Sequence, residues 1–206
     1  MFEINDLACL RGDRLLFRHL NLSVQAGELW RVAGTNGIGK TSLLRLLCGL
    51  TVPAAGVIRW LSQPIEREVF DAALLYQGHA PALNDLLTPV ENLRFACAIA
   101  GQDISVDVCT AALTRIGLAR QLILPCKLLS QGQRRRVGLA RLFLAAHKPL
   151  WILDEPFTAL DAAASAQIAE AIDTHCAAGG AAIFTSHQDV VFAREIKVLD
   201  MEGLAR

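Results

Sequence analysis

The sequence predicts an α/β fold with a mainly parallel sheet at its core. Three observations support this: short apolar runs alternate with helical segments, a glycine-rich loop joins one run directly to a helix, and apolar residues make up 53% of the 206 residues. Strands that alternate with helices form βαβ units, in which the strands are parallel. The apolar fraction is high enough to build a sizeable core, and the length suits a single domain over residues 1–206.

The first part of the chain predicts strands and turns, and we expect antiparallel pairing among the N-terminal strands. Weak alternation of apolar and polar residues indicates a strand before the turn at residues 25–27, and Gly49 closes the helix that follows the glycine-rich loop. In order, the predicted elements are a strand over 15–24, a strand over 28–33, a glycine-rich loop over 34–39, a helix over 40–48, and strands over 56–60 and 72–77.

The middle of the chain changes to a helical pattern. Thr88 is followed by a proline at the first helical position and by Glu91 at the third, which predicts a capped helix that runs to about residue 100. A second helix is expected over 106–116. We interpret residues of approximately 85–128 as a helical insertion on the α/β core, because so short a segment buries little core alone.

The last part returns to alternating strands and helices. An apolar run that ends in two acidic residues is typical of a buried strand, and such a strand between helices completes further βαβ units. The predicted elements are a helix over 130–147, a strand over 149–153, a helix over 161–178, and strands over 181–185 and 196–199.

The charge and the cysteines exclude several classes of protein. Lysine plus arginine and aspartate plus glutamate both number 20, so we expect no nucleic-acid partner held by phosphate contacts. No apolar run approaches the roughly 18 residues that span a bilayer, and charged residues near the start leave no secretory signal, so we expect a cytoplasmic location. The cysteines do not have the spacing of metal ligands, so we expect them to be small buried apolar residues. They are Cys9, Cys48, Cys97, Cys109, Cys126 and Cys176.

Residues 34–41 fit the pattern GxxxxGK[ST], and they lie where this pattern must lie, between a strand and a helix. Backbone N–H groups in such a loop curl around phosphate oxygens, and the helix N-terminus favours the anion. Lys40 is expected to reach the β- and γ-phosphates as a catalytic residue, and the Thr41 hydroxyl to coordinate Mg²⁺. The predicted nucleotide-binding residues here are Gly34, Thr35, Asn36, Gly37, Ile38, Gly39, Lys40, Thr41 and Ser42.

Two carboxylates end the apolar run over 149–153. Asp154 at the end of a buried strand beside a phosphate-binding loop predicts a second ligand to Mg²⁺, directly or through water. The adjacent Glu155 can act as the general base that polarises an attacking water. Together with the glycine-rich loop, this pair predicts hydrolysis of a nucleoside triphosphate.

The segment 129–133, Leu-Ser-Gln-Gly-Gln, opens a helix that carries three consecutive arginines. Ser130 and the backbone near Gly132 would form a second anion site at that helix N-terminus. The segment resembles the LSGGQ signature of the ATP-binding-cassette (ABC) ATPases, with Gln131 in place of the first glycine, and the resemblance extends over nearly the whole chain. It implies two ATP molecules between two head-to-tail copies, with Ser130, Gly132 and Gln133 facing the other copy's ATP. For one or two of the arginines we expect a solvated basic face.

The same resemblance assigns four further positions. Residues 159–161 resemble the loop that meets the second copy, and His187 resembles the histidine that contacts the γ-phosphate, which makes it a catalytic candidate. His79 aligns with the usual glutamine that senses metal or water, although Gln77 is the nearby glutamine, and this assignment stays open. Arg11 falls where the family places an aromatic residue on the adenine; it either stacks on the base or is a surface loop residue.

Three segments, 129–137, 149–161 and 184–188, closely resemble one group within that family, the haem-exporter ATPases of cytochrome c biogenesis. This resemblance implies an integral membrane permease partner of the CcmB type, other haem-handling membrane proteins, and a peripheral position on the cytoplasmic face of a bacterial inner membrane. No CxxCH motif is present, so we do not expect the chain itself to ligate haem. The alternatives are the ATPase of another small-molecule exporter and a soluble ABC ATPase.

Overall fold

The computed structural model describes residues 1–204 and contains two sheets. The strands found in this part of the chain are β1 (Phe2–Arg11), β2 (Arg14–Val24), β3 (Leu29–Ala33), β4 (Ala55–Trp60), β5 (Gln63–Pro64), β6 (Leu74–Gln77), β7 (Leu150–Leu153), β8 (Ala181–Thr185) and β9 (Ile196–Asp200). One sheet has the order β2-β1-β4-β5 and is antiparallel. The other has the order β6-β7-β8-β3-β9 and is parallel, as predicted.

The helices of the described residues are α1 (Lys40–Leu47), α2 (Arg67–Ala73), α3 (Pro89–Ile99), α4 (Val106–Arg115), α5 (Gln131–Leu139) and α6 (Ala162–Ala177), with 3-10 turns at Cys126–Leu128 and Ala140–Leu144. None of these helices combines the length and the apolar character that crossing a membrane requires. Thr88 begins α3 with the predicted reciprocal cap: its hydroxyl accepts the Glu91 N–H at 3.2 Å, and the Glu91 carboxylate accepts the Thr88 N–H at 2.8 Å.

The parallel sheet separates two hydrophobic cores because successive side chains of a strand point to opposite faces. On β7, Leu150 and Ile152 pack with α1 and the antiparallel sheet, whereas Trp151 and Leu153 pack with α3 to α6. The helices within residues 85–128 therefore share their core with the parallel sheet. The division of the chain into a single domain over residues 1–206 stays a prediction.

Two predicted elements were wrong in extent, and three went unrecognised. The predicted strand over 72–77 begins only at Leu74, because the two alanines before it close α2. The predicted helix over 130–147 ends as an α-helix at Leu139 and tightens into a 3-10 turn. The spacing of apolar residues over one or two turns does not distinguish an α-helix from a 3-10 helix. The unrecognised elements are β1, β5 and α2. β5 has only two residues, and β1 and α2 pack through alternate or partly exposed residues rather than long apolar runs.

Candidate active site

The carboxyl ends of four parallel strands meet at one edge of the sheet and carry the predicted site. Loops at the carboxyl ends of parallel strands are where ligands bind in open α/β folds. A cavity of about 460 Å³ lies at this edge. The predicted residues that line it are Arg11, Asn36, Gly37, Gly39, Lys40, Thr41, Ser42, His79, Asp154, Glu155 and His187. Unpredicted lining residues are Arg14, Leu16, Thr158 and Gln188.

The glycine-rich loop leads straight into α1, whose first N–H groups are not capped by any side chain of the described residues. Gly39, with φ +118°, starts this helix in a backbone conformation that L side chains rarely adopt, and a Cβ there would lie 3.4 Å from the Cβ of Leu16. The loop therefore needs glycine at this position. Uncapped N–H groups at a helix N-terminus are a ready site for phosphate.

Lys40 folds back over the loop that it follows. Its ammonium donates to the Gly34 carbonyl at 2.6 Å and to the Thr35 carbonyl at 3.2 Å, and its Nζ lies 3.3 Å from His187 Nε2. The side chain is 8% exposed. A buried ammonium ion is stable only where it is paired or hydrogen-bonded, so this cation is held ready at the wall of the cavity. Gly34 and Thr35 thus act through their carbonyls, while Ile38 packs in the core.

Asp154 lies at the end of β7 and is 1% exposed. Its carboxylate accepts hydrogen bonds from the Thr41 hydroxyl at 2.9 Å and from the Thr185 hydroxyl at 2.8 Å. A carboxylate and a hydroxyl are hard oxygen donors of the kind that Mg²⁺ takes together with phosphate oxygens, so Thr41 and Asp154 fit that ion. Within residues 1–204 no cluster of three or more histidine, cysteine or acidic side chains is placed to hold a metal.

Glu155 has an unusual backbone conformation, with φ +52°. Its N–H donates to the Thr185 hydroxyl at 2.8 Å, and its Oε1 lies 3.4 Å from His187 Nε2. The Glu155 side chain is 14% exposed and the His187 side chain 49% exposed, so both reach the cavity from its wall. A carboxylate here is placed to accept a proton from a water molecule that enters the cavity.

The two candidates after β6 differ in position. Gln77 is 5% exposed, its amide donates to the Gly78 carbonyl at 3.3 Å, and it does not line the cavity. His79 is exposed and lines the cavity. The structure therefore brings His79 rather than Gln77 to the other candidate residues, while its role stays a prediction.

The signature-like segment lies outside this cavity. Ser130 caps α5, since its hydroxyl accepts the Gln133 N–H at 3.3 Å while the Gln133 side chain accepts the Ser130 N–H at 2.9 Å. A Cβ on Gly132 would lie 2.7 Å from the Ala159 carbonyl oxygen, so only glycine fits there. Within one copy, then, Ser130, Gly132 and Gln133 are not brought to the residues around Lys40.

The three arginines of α5 were expected to include a solvated basic face, and this was wrong. Arg134 pairs with Asp85 and donates to the Cys126 carbonyl at 2.9 Å, and Arg136 donates to Asp161 at 2.6 Å. Arg135 is 4% exposed. Each guanidinium finds a partner on another element, and a one-dimensional charge pattern does not reveal such partners.

The fold and this cavity together define an ATP-binding cassette. The family model described as ABC transporter matches residues 17–158. Among solved structures, a putative ABC transporter ATP-binding protein from Pyrococcus furiosus has a TM-score of 0.85 at 21% identity, covering 100% of this chain and 99% of the other. An ATP-binding subunit of an ABC transporter has a TM-score of 0.80 at 26% identity, covering 91% and 79%. The chain belongs to the ABC transporter family, which confirms the predicted fold class and the prediction of an ATPase.

Within that family, the chain is similar to proteins of one name. The chain is 65% identical to the cytochrome c biogenesis ATP-binding export protein CcmA of Aromatoleum aromaticum, covering 100% of this chain and 97% of the relative. It is 49% identical to the CcmA protein of Nitrosomonas europaea, covering 94% and 91%. These similarities confirm the predicted resemblance to the ATPases of cytochrome c biogenesis.

Proposed function

We propose that this chain is the ATP-hydrolysing subunit of a membrane ABC complex in the biogenesis of c-type cytochromes. The observation that carries the proposal is 65% identity to a CcmA protein over the full length of the chain. The cavity supports it, because Lys40, Asp154, Glu155 and His187 surround one space at the sheet edge. The step that the complex drives is haem export or release of a haem–chaperone complex.

In this proposal, the glycine-rich loop and Lys40 bind the phosphates of ATP, and Glu155 takes the proton of the attacking water. His187, 3.3 Å from Lys40 Nζ and 3.4 Å from Glu155 Oε1, lies between the cation and the base and contacts the γ-phosphate. Thr41 and Asp154 would hold Mg²⁺, which when bound neutralises phosphate charge. His79, which also lines the cavity, orients the water or the metal ligands.

The position of the signature-like segment supports pairing of two copies. Ser130, Gly132 and Gln133 lie outside the cavity of their own copy, at the start of α5. A helix N-terminus favours an anion, so in a head-to-tail dimer this end of α5 faces the ATP of the second copy. The dimer has two such contacts, one from the α5 of each copy, and they enclose two ATP molecules.

The membrane partner is an integral permease subunit of the CcmB type, associated with other haem-handling membrane proteins. Leu86, Phe95 and Ile99 are 72%, 59% and 73% exposed on and before α3. Ile99 also lines a groove of about 700 Å³ between α3 and β6, together with Ala96. Exposed apolar side chains next to a groove are typical of a protein contact. Such a contact surface supports our proposal that the chain is a peripheral subunit on the cytoplasmic face of the bacterial inner membrane.

A strain that carries Lys40→Ala tests the proposal as a whole. Without the Lys40 ammonium the chain does not hold the ATP phosphates, so covalent haem attachment stops. We expect c-type cytochromes to disappear from haem-stained gels, while difference spectra still show b-type cytochromes, whose haem is not covalently attached. Lys127→Ala, at an exposed lysine outside the cavity, is the matched control and should leave both pools unchanged.

Two other results would change the assignment. A general haem exporter would also supply periplasmic b-type cytochromes, so loss of these together with the c-type cytochromes in the Lys40→Ala strain would favour general haem export. Normal c-type cytochromes in that strain would refute the role in cytochrome biogenesis and leave an ABC ATPase of unknown cargo.

A further inference from the structure

The guanidinium of Arg135 is buried between the ends of two neighbouring parallel strands. Its NH1 donates to the carbonyls of Gly78, at 2.9 Å, and His79, both of which follow β6. Its NH2 donates to the carbonyls of Asp154 at 2.8 Å and Glu155 at 2.7 Å, which follow β7. One side chain from α5 therefore holds four backbone carbonyls of the two segments that bring His79 and Glu155 to the cavity.

Arg135 differs from an ordinary core residue because it carries a charge. Burial lowers the pKa of Arg135, and the carboxylates of Asp154 and Glu155 raise it, so the cation is kept charged against the cost of desolvation. An apolar side chain of similar length would pack in the same space without that cost. The planar fork of a guanidinium can, however, donate to two pairs of acceptors at once, which no other side chain does.

The backbone of Glu155 shows what the fork holds in place. Glu155 has a positive φ, a conformation that is strained for a non-glycine residue and persists only where the surroundings fix it. Both polar backbone groups of Glu155 are fixed: the Thr185 hydroxyl accepts its N–H, and Arg135 donates to its carbonyl. The strained conformation directs the carboxylate to the cavity, within 3.4 Å of His187.

We propose that Arg135 is a positioning residue for ATP hydrolysis, which holds Glu155 in its strained conformation and ties it to the segment of His79. The inference rests on the proposed role of Glu155 as the general base. Arg135 does not itself line the cavity, and it contacts the lining residues His79, Asp154 and Glu155 only through their backbone carbonyls. We therefore expect it to act on the rate of hydrolysis and not on nucleotide binding. It also joins the segment after β6 to the catalytic carboxylate as one unit.

The test compares kcat and KM for ATP in the full-length chain. Arg135→Met removes all four hydrogen bonds but keeps the length of the side chain, and we expect kcat to fall at least tenfold with KM within twofold of wild type. Arg135→Lys keeps the charge but cannot reach four carbonyls together, so we expect an intermediate kcat. Arg115→Met removes a guanidinium of α4 that pairs with Glu170 of α6, outside the cavity and the start of α5, and should leave both constants unchanged.

Circular dichroism and the melting temperature show which variants fold. A folded Arg135→Met chain with wild-type kcat, or with only KM altered, would overturn the inference. If Arg135→Met does not fold, Arg135→Lys decides: wild-type kcat in that variant would show that the four-carbonyl fork is unnecessary. Glu155→Gln, measured in parallel, tests the two claims separately. Normal ATP turnover in Glu155→Gln would show that Glu155 is not the general base, and the failure would then lie in the proposed function rather than in the role of Arg135.

Discussion

At the scale of single residues, two arginines stand where the cavity opens. Arg11 and Arg14 face each other across the turn between β1 and β2, and both are exposed and line the cavity. Like charges directly opposite each other on paired strands destabilise the pair. Within the described residues, no phenylalanine, tyrosine or tryptophan side chain lines this cavity. A guanidinium can stack on a nucleotide base, and we interpret Arg11 in this way.

Replacement of Arg11 should therefore change how the base is held. In Arg11→Ala we expect KM for ATP and for GTP to rise together by roughly 2- to 30-fold, the range of a cation–π contact of about 0.5–2 kcal/mol. Arg11→Tyr should restore ATP binding, because an aromatic ring also stacks on adenine. Steady-state kinetics with both nucleotides provide the measurement, with Arg18→Ala on the exposed side of β2 as the control. Unchanged KM values in Arg11→Ala would make Arg11 a surface residue only.

At the scale of elements, α6 packs on the parallel sheet through a buried histidine. The ring of His175 stacks on Trp151, with centroids 3.9 Å apart and planes 4° apart. A Cβ at Gly180 would lie 2.1 Å from that ring, so glycine makes the room for it. Burial lowers the pKa of His175 to about 4. The neutral imidazole is thus the form that the folded chain keeps.

This shift makes the stability depend on pH in a defined window. In the unfolded chain, His175 has a pKa near 6.5 and binds a proton below that pH, whereas in the folded chain it binds one only below about pH 4. The free energy of unfolding therefore falls as the pH drops between these two values. We expect His175 to contribute a loss of about 2 kcal/mol between pH 7 and pH 5. Urea unfolding at both pH values measures it. His175→Phe keeps a stacked ring and should show a smaller loss; an equal loss would assign the pH dependence to other groups.

The apolar surface of α3 supports a prediction at the same scale. Phe95→Glu and Ile99→Glu place a charge where we propose that the permease docks, and desolvating that charge would oppose docking. We expect both variants to leave the membrane fraction while binding of a labelled ATP analogue stays unchanged. Val198→Glu, on β9 at the opposite edge of the parallel sheet, is the control because its side chain is 50% exposed. Retention of both α3 variants on membranes would place the docking surface elsewhere.

At the scale of the whole molecule, one copy does not hold all the predicted residues in one place. The residues around Lys40 line the cavity, whereas Ser130 and Gln133 cap α5 outside it, with Gly132 between them. Gly132 abuts the carbonyl of Ala159, and Arg136 donates to Asp161, so the start of α5 and the loop before α6 form one surface. This surface is where we expect the second copy to contribute its ATP.

Glu155→Gln should make that pairing visible. The amide keeps the size and the hydrogen bonds of the carboxylate but cannot accept a proton, so ATP binds, is not hydrolysed and holds two copies together. Size-exclusion chromatography with light scattering should show a dimer with ATP and a monomer with ADP. Adding Ser130→Arg to Glu155→Gln blocks the start of α5 and should abolish the dimer while ATP binding persists. A Glu155→Gln chain that stays monomeric in ATP would argue against the paired arrangement.

Much of the fold follows from local pattern. The alternation of strands and helices gives the parallel sheet, and Thr88 with Glu91 gives the start of α3, because capping and burial act over a few residues. The boundaries at Leu74 and Leu139 do not follow, since alanine-rich and apolar segments suit more than one conformation. For such segments, packing against the rest of the chain decides the outcome.

The sequence alone determined the glycine-rich loop, the acidic pair after β7 and the family resemblance, because each depends on residue types at a fixed spacing. Only the tertiary structure decided that His79 and not Gln77 reaches the cavity and that Arg14 lies opposite Arg11 at its mouth. It alone also showed that Arg135 is buried among four carbonyls. These last facts join residues far apart in the chain, and such contacts are fixed by strand order and packing, which no local spacing encodes.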